Sequence, residues 1–563
     1  MMFRRFKKGR GKSDFVEPDE IFLDSKNPQN FDRQQFEGKI EKPIPKKTVN
    51  YVGIFFLCVS LVFGARLIYL QAQNGDKNRR RSENNTLKRV SIFTESGIIY
   101  DRNKREMAWN KKPEDASLLY TRAYLSPGFS HVLGYVSYPT KDSLGNYWQD
   151  EFLGKDGLEK EYQEKLKGEN GAKIIEIDAR GVIHSENIIN SPKKGNDLVT
   201  SIDSRLQTQL FNFIKDLSQR GGFAGGAGVL MDAQNGEIIA SASFPEYNSE
   251  TLSLGKDKSK IDGYLNDKKK PFLDRTVSGL YTPGSIVKPF FALGALSEEI
   301  IDPYKKILST GSISIPNPYN PAQKSVFKDW KAHGWTDMAQ ALAVSSDVYF
   351  YTIGGGFEGQ RGLGILELGK YARLFGIGEN TGVDLPDEKG GVIPSPEWKK
   401  ENFKNDSWRV GDTYNTAIGQ YGFQVTPMEM ARAVAGIGNG GMLVTPHFIF
   451  EDKKREEKTK ILDIKKEYFD IVHSGMRQAV TYGTAVVLNV PYVKVAAKTG
   501  TAELGTGSSK VNSWVVGFFP YETPKYAFAV MMESGLATSS ASASSVMREL
   551  LDWMSVYTPE YLF

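Results

Sequence analysis

Ser285 and Lys288 lie three residues apart in GLYTPGSIVKPFFALGAL, where a Pro-Gly turn runs into an apolar periodic segment. The turn predicts a helix beginning at or near Ser285, and Lys288 then falls on the same face one turn later. A serine hydroxyl at its ordinary pKa is a weak nucleophile and needs a base within hydrogen-bond reach. Lysine can be that base when burial and a neighbouring cation lower its pKa. The spacing alone carries little, because Ser191 with Lys194 and Ser253 with Lys256 repeat it in polar loops. Its company carries more. Ser345-Ser346-Asp347 falls in a helix-like stretch, MAQALAVSSDVYFY, and Lys498-Thr499-Gly500-Thr501 follows the strand-like run VKVAA.

These residues need elements to hold them. An amphipathic helix, SRLQTQLFNFIKDLSQ, precedes a hairpin of AGVLMDA and EIIASASF joined at Asn235-Gly236, a strong turn signal. Three more strand-like runs close the chain, VKVAAKTGTAE, NSWVVGFFP and YAFAVMME, followed by a helix from about Ser542 to Met554. Strands at both ends of a largely helical middle predict an α+β domain whose antiparallel sheet is assembled from distant parts of the sequence. The expected boundaries are a polar, cytoplasmic tail over 1–50, a transmembrane helix over 51–70, an elongated pedestal over 71–195 and the sheet-and-helix domain over 196–563.

The anchor is read from YVGIFFLCVSLVFGARLIYL, Tyr51 to Leu70, about the ~20 residues that cross a ~30 Å hydrocarbon layer. Arg66 is its one interruption, near the end where it can snorkel. Basic residues flank both ends: Arg4, Arg5, Lys7, Lys8, Arg10, Lys12, Lys39, Lys42, Lys46 and Lys47 before it, Lys77, Arg79, Arg80 and Arg81 after it. The charge rule is therefore nearly balanced, and an extracytoplasmic catalytic domain rests on its motifs. Lys plus Arg (72) almost equals Asp plus Glu (67), and a net charge of +5 over 563 residues gives no reason to expect nucleic acid as a partner. A single cysteine, Cys58, excludes an intramolecular disulfide and a cysteine-built metal site.

S-x-x-K, S-D-N and K-T-G, in that order and each on a suitable element, are the signature of penicillin-binding proteins and related β-lactamases, and Ser-Ser-Asp stands here at the middle one. The chain resembles the class B penicillin-binding proteins, and within them the elongation type. The resemblance runs from about Arg66 to the C-terminus, through Gly97-Ile-Ile-Tyr-Asp-Arg-Asn, His131-Val-Leu-Gly-Tyr-Val, Gly157-Leu-Glu-Lys-Glu-Tyr, Arg275, Tyr281-Thr-Pro-Gly-Ser, Gly419-Gln before Val425-Thr-Pro, and Lys498-Thr-Gly-Thr-Ala-Glu. It implies a membrane-bound, extracytoplasmic D,D-transpeptidase that cross-links D-Ala-D-Ala stem peptides through a serine acyl-enzyme and is a target of β-lactam antibiotics. A D-Ala-D-Ala carboxypeptidase side activity is part of that expectation.

The resemblance also assigns roles. Ser285 attacks the penultimate D-Ala carbonyl and Lys288 takes its proton. Ser345 relays a proton toward the leaving D-alanine, while Asp347 and Lys498 fix its hydrogen bonds. The N–H groups of Ser285 and Thr501 form an oxyanion hole, Gly500 belongs to the substrate-binding strand, and the Thr499 and Thr501 hydroxyls hold the terminal carboxylate. No cofactor is implied. Some relatives hold zinc through a cysteine in the middle motif and an upstream histidine. Here that position is Ser346, so no metal is expected although Asp329 and His333 lie nearby.

Ser-Ser-Asp in place of Ser-Ser-Asn favours the elongation type over the division type. The short stretch between Asn110 and His131 implies a reduced pedestal head. The implied partner is a polymerising glycosyltransferase of the shape, elongation, division and sporulation family. A division-type relative, a β-lactam-binding sensor and a non-catalytic scaffold are the alternatives. Tyr349-Phe350-Tyr351 reads as core and groove wall, and Glu397 as a surface carboxylate rather than a deacylating base.

Overall fold

Lys46 opens a helix, α1 (Lys46–Ile68), that runs without a buried residue into a π-type turn over Tyr69–Gln73. The 28 residues Lys46–Gln73 form one apolar rod, about 42 Å long at 1.5 Å per residue, sufficient to cross a membrane. Arg66 near its end lies 5.4 Å from the Tyr69 ring. The computed structural model describes residues 44–563 except 113–118, 144–146, 178–181, 318–319, 451–458, 506–508 and 540. The expected cytoplasmic tail thus lies almost wholly outside the described residues, as does part of the pedestal stretch read as shortened. The described residues up to Lys88, with those of Glu176–His184, make one compact unit, and Arg89–Ile175 with Ser185–Phe563 make another.

The second unit begins with small sheets. Ile99–Tyr100 pairs in parallel with Leu198–Val199, and the Glu106–Lys111 and Thr121–Tyr124 strands complete a four-stranded sheet. Arg122 within it donates from Nε to Glu159 Oε1 at 2.6 Å, both side chains buried.

Five strands make the main sheet: β1 (Gly225–Asp232), β2 (Ile238–Phe244), β3 (Ala496–Glu503), β4 (Lys510–Phe519) and β5 (Tyr526–Leu536). They are antiparallel in the order β2-β1-β5-β4-β3, so strands more than 250 residues apart in sequence become neighbours. Helices α2 (Ser204–Gly221), α3 (Lys288–Ser297), α4 (Met338–Val344), α5 (Asp347–Gly355), α6 (Pro427–Gly438), α7 (Lys466–Thr481) and α8 (Ala543–Tyr557) accompany it.

Side-chain alternation separates the two faces of the sheet. Leu230, Val515, Val530 and Met532 join Leu210 and Ile214 of α2 and Val546 and Leu550 of α8 in one core. Val229, Met231, Trp514, Val516 and Met531 join Phe290 of α3 and Met430 and Val434 of α6 in the other. Burial on both faces explains why VVGFF and YAFAVMM read as continuous apolar runs instead of alternating ones. The β1–β2 connection spans Ala233–Glu237, and Gly236 sits there at φ +89° with room for no Cβ, which would lie 2.3 Å from Thr445 O.

Candidate active site

Gly284–Val287 forms a 3-10 turn that leads straight into α3, with Lys288 as the first residue of α3 and Pro289 just inside. Ser285 is half-buried on this turn and faces a groove of about 1170 Å³. Strand β3 presses against the turn so closely that side chains are excluded on both partners. A Cβ on Gly284, whose φ is +59°, would lie 2.7 Å from Thr501 O, and one on Gly500 would lie 2.7 Å from Pro283 O. The Gly284 N–H donates to Gly419 O at 2.9 Å, and Trp514 Nε1 on β4 donates to Thr282 O at 3.0 Å.

The middle motif is not inside one helix. MAQALAVSSDVYFY reads as a continuous helix, but α4 stops at Val344, Ser345 takes a left-handed conformation (φ 57°, ψ 41°), and Ser346 caps α5. A non-glycine residue in that region costs free energy and persists only where its surroundings hold it. Ser346 Oγ donates to Asp329 Oδ2 at 2.9 Å, and the Val348 N–H donates to the same oxygen at 3.1 Å. Asp329 also accepts from Ser309 Oγ at 3.2 Å, and its Oδ1 lies 3.4 Å from His333 Nε2. Burial lowers the His333 pKa, with Asp329 working in the opposite direction. This buried cluster fixes the break that turns Ser345 toward the groove.

Two lysines meet at Ser345. Lys288, fully buried, donates from Nζ to Asp347 Oδ1 at 2.6 Å and to Ser345 O at 2.9 Å, and lies 3.4 Å from Ser345 Oγ. Lys498, also fully buried, donates to Ser345 Oγ at 2.7 Å and to Thr499 O at 2.8 Å. Burial pushes the Lys498 pKa well below that of an ordinary lysine, the Lys288 charge pushes it further, and Asp347 opposes both. Two buried amines thus share one carboxylate, which itself keeps partial access to the groove.

Every residue assigned from the sequence is in or against this groove. Ser285, Ser345, Asp347, Thr499, Gly500 and Thr501 line it, and Lys288 and Lys498 lie directly behind Ser345. Lys288 is not hydrogen-bonded to Ser285 among the described residues; its nitrogen is occupied by Asp347 and Ser345. The Thr499 hydroxyl donates to Thr484 Oγ1 at 2.7 Å. Thr484 is a groove residue that the motif reading passes over; its N–H donates to Ala343 O, and Gly483 before it would bring a Cβ to 2.1 Å from that same oxygen. Its one signal is the tight Tyr-Gly-Thr after the last turn of α7. Tyr351 lines the groove, whereas Tyr349 and Phe350 are core. Glu397 is exposed in the first turn of a short helix, Pro396–Asn402, and does not line the groove.

Fold and groove together define a class, an α+β protein with a dimerisation-type module ahead of a transpeptidase-type one. The family described as penicillin binding protein transpeptidase domain matches residues 226–552, and the penicillin-binding protein dimerisation domain matches 115–200. The chain belongs to the penicillin-binding protein family, as a class B member of the PBP2 type. It is 30% identical over 453 residues to the peptidoglycan D,D-transpeptidase MrdA of Acinetobacter baumannii, covering 76% of this chain and 64% of the relative. It is 29% identical over 471 residues to that of Escherichia coli, covering 77% and 71%. Among solved structures, PBP2 of Helicobacter pylori in complex with MreC superposes with a TM-score of 0.69 at 27% identity, over 83% of this chain and 98% of that one.

Proposed function

We propose that this chain is a peptidoglycan D,D-transpeptidase of cell-wall elongation, working through an acyl-enzyme on Ser285. The observation that carries this reading is the meeting of Lys288 and Lys498 at the Ser345 hydroxyl, beside a groove that Ser285 faces. With one carboxylate between them, the pocket is charge-balanced when one amine is neutral, and Lys498 is the one whose ammonium burial disfavours. The Lys288 proton can pass through the Ser345 hydroxyl to Lys498. Lys288 then has a lone pair for the Ser285 proton as Oγ attacks the D-Ala carbonyl. The reverse path delivers a proton to the leaving D-alanine. The N–H groups of Ser285 and Thr501 stabilise the oxyanion, worth several kcal/mol, about 3, in acyl transfer.

Residues 71–195 serve as pedestal and 196–563 as the transpeptidase domain, with the apolar helix as a single membrane anchor and the domain outside. Stem peptides are the substrates, β-lactams occupy the same groove, and a polymerising glycosyltransferase is the partner that would supply uncross-linked strands. Water in place of the acceptor amine would give the carboxypeptidase side reaction. Mass spectrometry after exposure to a penicillin tests the assignment: a covalent adduct on Ser285 that persists for many minutes and disappears in Ser285→Ala is expected. Rapid multiple-turnover hydrolysis of the antibiotic, or an adduct on Ser191 or Ser253, would overturn it.

A further inference from the structure

Strand β3 turns Thr499, Thr501 and Glu503 toward the groove, each separated from the next by a buried residue. In the transpeptidase reading above, the Thr499 and Thr501 hydroxyls hold the donor's terminal carboxylate, and the N–H groups of Ser285 and Thr501 hold the carbonyl under attack. Those two points fix the direction of the donor chain. Its C-terminus lies toward Thr499, and its upstream residues run alongside β3 toward Glu503. At about 3.3 Å per residue, Glu503 stands about 7 Å beyond Thr501, within reach of a long side chain on the residue just before D-Ala-D-Ala. The Glu503 carboxylate is exposed and has no ion-pair or hydrogen-bond partner among the described residues. Asp347, the other carboxylate of the lining, is held by Lys288, and Lys328, the exposed lysine of the lining, makes no ion pair among the described residues. Tyr351 of α5, also in the lining, feels the Glu503 charge: burial raises its phenol pKa, and Asp347, Asp329 and Glu503 add to the rise. Glu503 is thus the lining carboxylate left free for a substrate cation.

A cross-link between two stem peptides needs an amine, and the D-Ala-D-Ala end supplies none. Stem peptides carry it on the side chain of a diamino acid, and the one directly before D-Ala-D-Ala is the residue that reaches Glu503. In a new strand this amine is free, an ammonium in water. Once the stem has served as an acceptor, it is a neutral amide. Resting on the transpeptidase reading above, we propose that Glu503 is a specificity residue for the donor: its carboxylate pairs with the side-chain ammonium of the diamino acid before D-Ala-D-Ala, so that a stem whose amine is still free acylates Ser285 faster than one whose amine is already an amide. This ammonium is not the nucleophile of the same turnover. The attacking amine belongs to a second stem and takes the place that D-alanine vacates, at the other end of the donor. The pair with Glu503 forms when the donor binds and therefore enters kcat/KM for acylation. Because Glu503 is open to water, the preference amounts to about fivefold at low salt. New strands then enter as donors, and strands already joined do so less often.

The test reads acylation in the full chain. The donors are Nα-acetyl-L-lysyl-D-alanyl-D-lactate and its Nε-acetyl counterpart, the same ester with the charge removed. Release of D-lactate gives kcat/KM for forming the acyl-enzyme, whichever nucleophile follows. Wild type should prefer the free amine about fivefold at low salt, and added salt should erase the preference. Glu503→Gln should bring the ratio to about one, Glu503→Asp should keep part of it, and Glu503→Lys should invert it. Penicillins read the same place, because their acyl group stands for the residue before D-Ala-D-Ala. Ampicillin, with an α-ammonium, should label Ser285 faster than carbenicillin, with an α-carboxylate, by a ratio that falls in Glu503→Gln. A wild-type donor ratio near one, a ratio that Glu503→Gln leaves unchanged, or an equal loss with both donors would sink the donor role and leave the transpeptidase reading standing. Absence of both D-lactate release and a Ser285 adduct in wild type would sink that reading itself.

Discussion

Among the described residues, lysine amines are buried beside carboxylates in two places, to opposite effect. Behind the groove, Lys288 and Lys498 share Asp347. Elsewhere in the same unit, Lys399 alone has Asp412 at 2.6 Å and Asp406 at 3.1 Å, and also donates to Ser407 O. Burial opposes the charge at both. At Lys399 the hydrogen bonds to Asp412, Asp406 and Tyr421 outweigh it and raise the pKa, whereas at Lys498 a second cation adds to it and the pKa falls. The balance between burial and the carboxylates facing the amine decides whether a buried lysine is a strut or a proton acceptor.

The largest way to break that contrast is Lys288→Met. Methionine fills a similar volume without the amine, so acylation by a penicillin should fall on the order of 10³-fold, the scale of a lost general base. Asp347 keeps partial access to water, so the fold should survive; near-normal labelling of this variant would place the proton acceptor elsewhere. Lys399→Met should do the reverse. It leaves the largely buried Asp412 without its cation, whereas Asp406 keeps Arg409, and should cost about 3 kcal/mol in urea unfolding, while the fraction that remains folded still acylates.

A finer test uses pH. The folded state binds a proton at Lys498 more weakly than the unfolded chain does, because its folded pKa is lowered. Between that lowered value and the ordinary lysine value the unfolded chain carries more protons, so stability should rise with pH, by at most about 1.4 kcal/mol per pH unit. Lys498→Met should lack this slope, seen as urea midpoints of the two proteins that diverge as pH rises. Parallel midpoints would mean that Lys498 is charged in the native state.

The groove motifs and the α+β sheet were legible in the sequence because each has a local pattern: Pro-Gly before Ser285, apolar runs around β4 and β5, and Lys-Thr-Gly at the end of a β run. What stayed hidden was non-local. Apolar periodicity carries straight through Ser345 because residues on either side are core, and only Asp329, reaching Ser346 from another segment, shows why the helix breaks there. Thr484 has an ordinary side chain for its local element, and acquires meaning only when β3 is laid beside the end of α7. The spacing of Ser285 and Lys288 likewise says nothing of Asp347, which pairs with the lysine.

Strand β3 is the end strand of its sheet, paired with β4 on one side only. Such an edge is normally a liability, since its free amides and carbonyls invite another extended chain to pair and so to aggregate. Here the Ser285 turn covers part of the edge, and walls such as Trp330 and Tyr351 border the rest. Another sheet approaching that edge meets these walls first. The side chains that shape the groove thus also guard the strand against pairing with a second chain.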